Sequence, residues 1–146
     1  MIWGFKTVSI LDVWTFEHFL SGISIGALAV RCNMKIFKNK LDLDGQDIKT
    51  PYFDLIFVLM VAYAWETVEH YLEIGLMGDV VANWFQGVEF WANRIFSDPL
   101  ITLVGYYIAK GKPKLITPAR VVSLIWLLVH VFIFPHSMYL HEVFKH

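Results

Sequence analysis

From Val13 to Val30 the chain carries ionisable groups only at Glu17 and His18, and a second apolar run, Phe53 to Tyr71, is broken chiefly by Asp54, Glu66, Glu69 and His70. An α-helix needs about 20 consecutive, mostly apolar residues to cross a bilayer. Once there, it has to satisfy its backbone polar groups internally. A third, shorter run covers Pro99 to Ala109, and a fourth covers Val121 to Leu140. The expected fold is therefore all-α: an integral membrane bundle of four transmembrane helices, residues 1–146 forming one domain. Charged residues make up 17% of the chain and hydrophobic ones 57%, against roughly 25% charged in soluble domains. The formal net charge of −1 favours no partner of either sign. Cys32 is the only cysteine, which excludes an internal disulfide or a multi-cysteine metal site. Met1 to Asp12 lacks a basic leader, an apolar core and a small-residue cleavage site, so no cleaved signal peptide is expected.

Between the second and third runs lies a different pattern. Val81, Trp84, Phe85, Val88, Trp91 and Phe96 recur at roughly helical spacing, with Asp79, Asn83, Gln86 and Asn93 between them. Aromatic-rich amphipathic stretches of this kind lie in the membrane interface. The third run is only about 16 Å long as a helix, too short to span alone. Ser97-Asp98-Pro99 reads as a helix start, with Asp98 as N-cap and Pro99 at the first helical position. Either a longer helix from about Glu89 is kinked at Pro99, or a half-helix begins inside the membrane. Both place Asp98 beside interrupted backbone bonding, which membranes tolerate against protein or a wet cavity.

Arg31, Lys35, Lys38, Lys40 and Lys49 follow the first run, and Lys110, Lys112, Lys114 and Arg120 precede the fourth. Elsewhere there are only Lys6, Arg94 and Lys145. The excess of basic residues puts those two loops in the cytoplasm and both termini outside.

At 1.5 Å per residue from the cytoplasmic ends, Glu66, Glu69 and His70 fall at roughly 20–26 Å, His18 at roughly 22 Å and Asp98 at about 18 Å. His130 falls near the middle of the fourth run, with His136 further out and His141 and Glu142 at the outer edge. Four runs thus contribute ionisable groups to one layer in the outer half of the bilayer. Glu66, Glu69, His70 and Glu73 follow i, i+3, i+4, i+7 and share a helix face. His18 shares a face with Gly22 and Gly26, a small-residue pattern that lets helices approach closely, and so points into the bundle. Imidazole with carboxylate suits a divalent metal, whether zinc, iron, manganese or copper. The candidate ligands are His18, Glu66, His70, Asp98 and His130, with Glu69 as the candidate catalytic base.

Each assignment has a plainer counterpart. Glu17, Glu73, Asp79, Glu89, Glu142 and His146 read as solvated head-group residues, and Asn93 as an interhelical hydrogen-bonder. His130, alone on an apolar face, fits an interior histidine with its hydrogen bonds satisfied. The tryptophans fit interfacial belts better than a cofactor pocket. Haem ligation by His18 and His70 is disfavoured by the carboxylates beside them.

At His18-Phe19-Leu20, at Glu66 or Glu69, and at Asp98 followed by Gly105, the chain resembles the small VanZ-like membrane proteins of bacteria. The resemblance covers about a third of the chain. It implies four or so helices in a bacterial inner membrane and assigns no activity.

The leading expectation is an outward-facing intramembrane metal site, extending to a metal-dependent hydrolase acting on a lipid or lipid-linked substrate. Two rivals are an accessory subunit of a larger respiratory or oxidase-type membrane complex and a proton or cation pathway. The basic residues flank spans, as topology requires, and offer nothing to nucleic acid.

Overall fold

A computed structural model describes residues 1–37 and 52–133. Lys38, Lys40 and Lys49, the end of the fourth run, and His136, His141, Glu142, Lys145 and His146 lie outside the described residues. The described chain is all-helical apart from its loops; its only β feature is an isolated bridge between Trp3 and Leu11.

Helix α1 covers Thr15–Phe37. Its start is fixed by a reciprocal cap. The Trp14 and Thr15 N–H groups donate to Asp12 Oδ1 at 2.7 and 3.2 Å, and the Asp12 N–H donates to Thr15 Oγ1 at 3.0 Å. Helix α2 covers Phe53–Glu73. It ends in a Schellman turn, with the Leu76 N–H on the Tyr71 carbonyl and the Gly75 N–H on the Leu72 carbonyl. Gly75 takes the left-handed conformation this needs, φ 91°.

The amphipathic stretch divides in two. Asp79–Phe85 forms a short helix, α3, closed by Gln86 in the left-handed region at φ 57°. The other half belongs to the next helix. From residue 91 the backbone is helical, passes through a π-helical turn at Asn93–Ser97, and continues as α4, Asp98–Gly111. The longer-helix alternative is therefore the one observed, and residues 91–111 make a rod about 31 Å long. Asp98 is not an N-cap: its φ of −69° and ψ of −41° are helical, because the chain before it is already helix. Pro99 has no N–H to offer the carbonyl four residues back, that of Ile95. The Tyr63 hydroxyl of α2 donates to that carbonyl at 2.9 Å. A 3₁₀ turn at Pro113–Leu115 leads into α5, Ile116–Leu128, which runs on into a second π turn at Val129–Ile133.

Helix α1 is central, packed on α2, α4 and α5. It runs parallel to α4, and the glycines explain how closely. A Cβ on Gly22 would sit 2.2 Å from the Thr102 carbonyl oxygen, and one on Gly26 would sit 2.7 Å from Tyr106 Cα. From the other side, a Cβ on Gly105 would sit 2.3 Å from the Phe19 carbonyl oxygen. The expected small-residue seam is thus a backbone-to-backbone contact. One turn above it on each helix stand His18 and Asp98. Gly22→Val is expected to destabilise the protein by about 3 kcal/mol, at the upper end for overpacking because the clashing atoms are backbone. Gly111→Ala, which meets nothing within 4 Å, should stay within about 0.5 kcal/mol. Thermal unfolding in detergent measures both.

Small apolar cores pack between the helices, around Leu20 and Ile23 and around Ala29 and Val58, while much of the remaining interior is polar and the exterior is apolar. Ile56, Met60 and Val68 of α2, Leu100 and Val104 of α4, and Val122, Leu124 and Ile125 of α5 are exposed. His18, Glu66, Glu69, Asn93, Asp98 and Thr102 are buried. Among the described residues two helices, α1 and α2, are long and apolar enough to cross a membrane.

Candidate metal centre

Three helices bring their acidic residues to one end of the molecule. The α2 stripe of Glu66, Glu69 and Glu73 is buried along its length. Asp98 arrives on α4, the third long helix, and His18 on α1, set against one another by the glycine seam. His18 Nδ1 lies 3.5 Å from Glu66 Oε1, and Nε2 lies 3.3 Å from Asp98 Oδ2. One imidazole thus stands between two carboxylates. Glu89, from the loop before the third helix, completes the set, and its oxygen groups with those of Glu66 and Asp98 within 4.8 Å. His18, Glu66 and Glu69 form a second group of the same span.

The remaining charges hold this cluster together. Lys6, 1% exposed, enters from the N-terminal segment and donates to Glu73 Oε1 at 2.5 Å. Arg94, on the π turn, donates to Glu73 Oε2 at 2.5 Å, lies 3.6 Å from Glu89 and 4.0 Å from Glu66, and donates to His70 Nδ1 at 3.0 Å. The Glu89 N–H also donates to Glu73 Oε2 at 3.1 Å. Asn93 donates to Glu89 Oε1 at 2.8 Å and Asp12 Oδ2 at 3.2 Å. Glu73 and Asp12 are therefore engaged by cations, backbone and amide. Glu66 and Asp98 are not: both oxygens of each are buried and reached by no hydrogen-bond donor, and Glu89 Oε2 shares that state. Such groups are costly unless a proton or a cation joins them.

These oxygens fit a divalent ion. Metal–oxygen distances of about 2.0–2.2 Å put opposite donors on one ion roughly 4.3 Å apart and neighbouring donors closer, so either group would draw in around an ion. The donors, carboxylates with one imidazole, suit iron, manganese or zinc better than a thiolate-seeking metal.

Two of the expected ligands stand elsewhere. His70 is half-buried beside Arg94 and belongs to neither group. His130 is buried, but its ring lies against Trp126 and Trp14, with centroids 4.5 and 5.3 Å apart, and Nδ1–H donates to the Trp126 carbonyl at 2.8 Å. Glu73 and Glu89 are not solvated head-group residues: they are 4% and 6% exposed and sit inside the cluster. Glu17 is half-buried and accepts from the Ser123 hydroxyl of α5, whereas Asp79 is exposed as expected. Asn93 is the hydrogen-bonder its sequence context suggested. Lys6, Arg94, Asp12 and Glu89 were overlooked as members of the cluster. The available signal was that Asn93 and Arg94 follow Glu89 at i+4 and i+5, close enough to serve one helical face.

Burial, with the charges of Glu69 and Asp12 nearby, pushes the Glu89 carboxyl from 4.5 up to about 8; burial also raises Asp12. Glu66, Glu69, Glu73, Arg94 and Asp98 face the same space. A carboxyl raised in this way keeps its proton in the folded protein where the unfolded chain has released it. Stability of the metal-free protein should therefore fall as pH rises from about 4.5 to about 8. The expected result is a lower unfolding temperature in detergent near pH 8 than near pH 5, with a shallower dependence in Glu89→Gln.

Comparison with protein-family models, with curated proteins and with solved structures gives no match.

Proposed function

We propose that the chain is an integral protein of a bacterial inner membrane, with both termini outside, that holds a divalent metal ion in the outer half of the bilayer and uses it to hydrolyse a lipid or lipid-linked ester. One observation carries the metal reading. The buried oxygens of Glu66 and Asp98 have no hydrogen-bond donor, and both carboxylates flank His18.

The membrane reading is supported by the large apolar side chains exposed around the helices and the ionisable groups buried between them. The helix comprising residues 91–111 adds a third rod of spanning length to α1 and α2. The charge asymmetry is also sharper than the sequence implied. Lys6 and Arg94, two of the few basic residues on the outer side, are spent on the buried cluster. The basic loops then stand nearly unopposed as cytoplasmic markers.

His18 and Glu66 would hold the divalent ion, whose positive charge would polarise the ester or phosphoryl oxygen. Glu69 lies beside it and, at 8%, is the most exposed of the four carboxylates Glu66, Glu69, Glu89 and Asp98. It takes a proton from water as the water oxygen bonds to the acyl carbon or phosphorus. The bond to the leaving alcohol breaks, and Glu69 returns the proton to that oxygen. Glu69→Gln should keep at least one ion and lose roughly 100-fold or more in hydrolysis of a lipid ester or phosphoester. Unchanged hydrolysis in that variant would remove Glu69 from the reaction.

A proton pathway is the second reading, favoured by a line of buried polar groups. Asp98, Thr102 and Tyr106 succeed one another at i+4 on α4. The Tyr106 hydroxyl donates to Asp54 at 3.4 Å, with Lys110 3.9 Å from the same carboxylate. Proton flux into liposomes that Thr102→Val abolishes would favour this reading over hydrolysis.

A further inference from the structure

Charge balance and geometry agree on how many ions the cluster takes. We infer that it holds two divalent cations bridged by the Glu66 carboxylate, the first held by His18 with Glu69 beside it and the second against Glu89 and Asp98. This rests on the metal reading above and specifies it.

The geometric argument begins with the two ligand groups. Each keeps its donor atoms within 4.8 Å, and Glu66 is the residue common to both. One ion spans donors only about 4.3 Å apart, so a single ion does not collect both sets. Two ions sharing a carboxylate sit about 3.5–4 Å apart, and the two free oxygens of Glu66 provide one to each. His18 fits the same scheme. Its Nδ1 faces the first group, while Nε2 lies 3.3 Å from Asp98 Oδ2 of the second, a small ring rotation away from a hydrogen bond. A ligating imidazole commonly hands its other N–H to a carboxylate in this way, which fixes the ring.

The electrostatic argument is independent of that geometry. Lys6 and Arg94 offset Glu73 and Asp12, the two carboxylates already engaged in hydrogen bonds. Glu66, Glu69, Glu89 and Asp98 remain, all buried. Two divalent ions neutralise four carboxylates; one leaves two of them either to keep their protons or to stand as buried negative charge, which is strongly unfavourable. With the pair bound, the cluster as a whole is neutral.

Manganese distinguishes the cases, because Mn²⁺ in solution gives a sharp six-line electron paramagnetic resonance signal and two Mn²⁺ ions on one carboxylate are exchange-coupled. Metal-stripped, detergent-purified protein would be titrated with MnCl₂ while free ion is followed by that signal. The expected result is two Mn²⁺ bound per chain, with a coupled spectrum. Glu89→Gln, close in shape, should bind one with an uncoupled spectrum, and Asp98→Asn should do the same. The wild-type titration decides the matter whether or not the variants fold. One Mn²⁺ per chain overturns the pair and leaves the single-ion reading standing. Two ions without coupling overturn the Glu66 bridge. No bound ion overturns both this inference and the metal reading.

Discussion

Glu66→Gln should leave the protein folded and almost free of bound divalent metal. Glu66 belongs to both ligand groups, so its loss is felt by every ion the cluster holds. The amide keeps the shape but gives up the negative charge and one of two acceptor oxygens. Changing a residue that merely supports a ligand costs about 10–100-fold in affinity, and the loss here should exceed that. Folding should survive, since no hydrogen-bond donor reaches either Glu66 oxygen. The substitution removes a buried acidic group without orphaning a partner. The metal-free variant is expected to be at least as stable to heat in detergent as the metal-free wild type. Metal titration beside a melting curve checks both halves.

Lys6→Met should have the opposite profile, with a large loss of stability. The Lys6–Glu73 pair is closed to solvent, with side chains 2% and 0% exposed. Removing one member of a buried pair costs about 3–5 kcal/mol, and because Arg94 stays on Glu73 Oε2 the loss here should lie near the lower end. Lys6 also ties the N-terminal segment to the bundle, since its carbonyl accepts from the Phe90 N–H at 2.8 Å. A different pair calibrates the estimate. Lys110 faces Asp54 at 3.9 Å with its side chain 55% exposed, and exposed pairs contribute about 0–1 kcal/mol. Lys110→Met should therefore be nearly silent where Lys6→Met is not. Adding Glu73→Gln to Lys6→Met should recover part of the loss, the signature of a direct coupling. Thermal unfolding of the four proteins gives the interaction energy.

The all-helical architecture was legible because period and apolar length are local properties. The Gly22 and Gly26 spacing foretold the close seam, and the seam set His18 opposite Asp98. The α2 stripe was legible for the same reason: i, i+3, i+4 and i+7 fix a face before any partner is known. The break at Pro99 was harder. A proline with a polar residue ahead of it looks like a helix start, and what keeps the helix continuous is a hydroxyl from another helix, Tyr63 on Ile95. His130 was misplaced because depth along a helix says nothing about rotation, and its ring stacks on aromatic residues instead. Lys6 and Arg94 were counted only toward orientation, since Glu73, the carboxylate they share, is distant from both in sequence. Lys6 meets Glu73 from 67 positions away. Glu89 was misjudged with them, because burial of a loop carboxylate depends on the chain that folds over it.

The most direct test of the central claim is the metal content of detergent-purified protein, wild type beside His18→Ala and His70→Ala. The expected result is near-stoichiometric or greater divalent metal in the wild type, retained in His70→Ala and lower by one ion per chain in His18→Ala. A well-folded wild type that takes up no metal, or loss in His70→Ala with retention in His18→Ala, would contradict it.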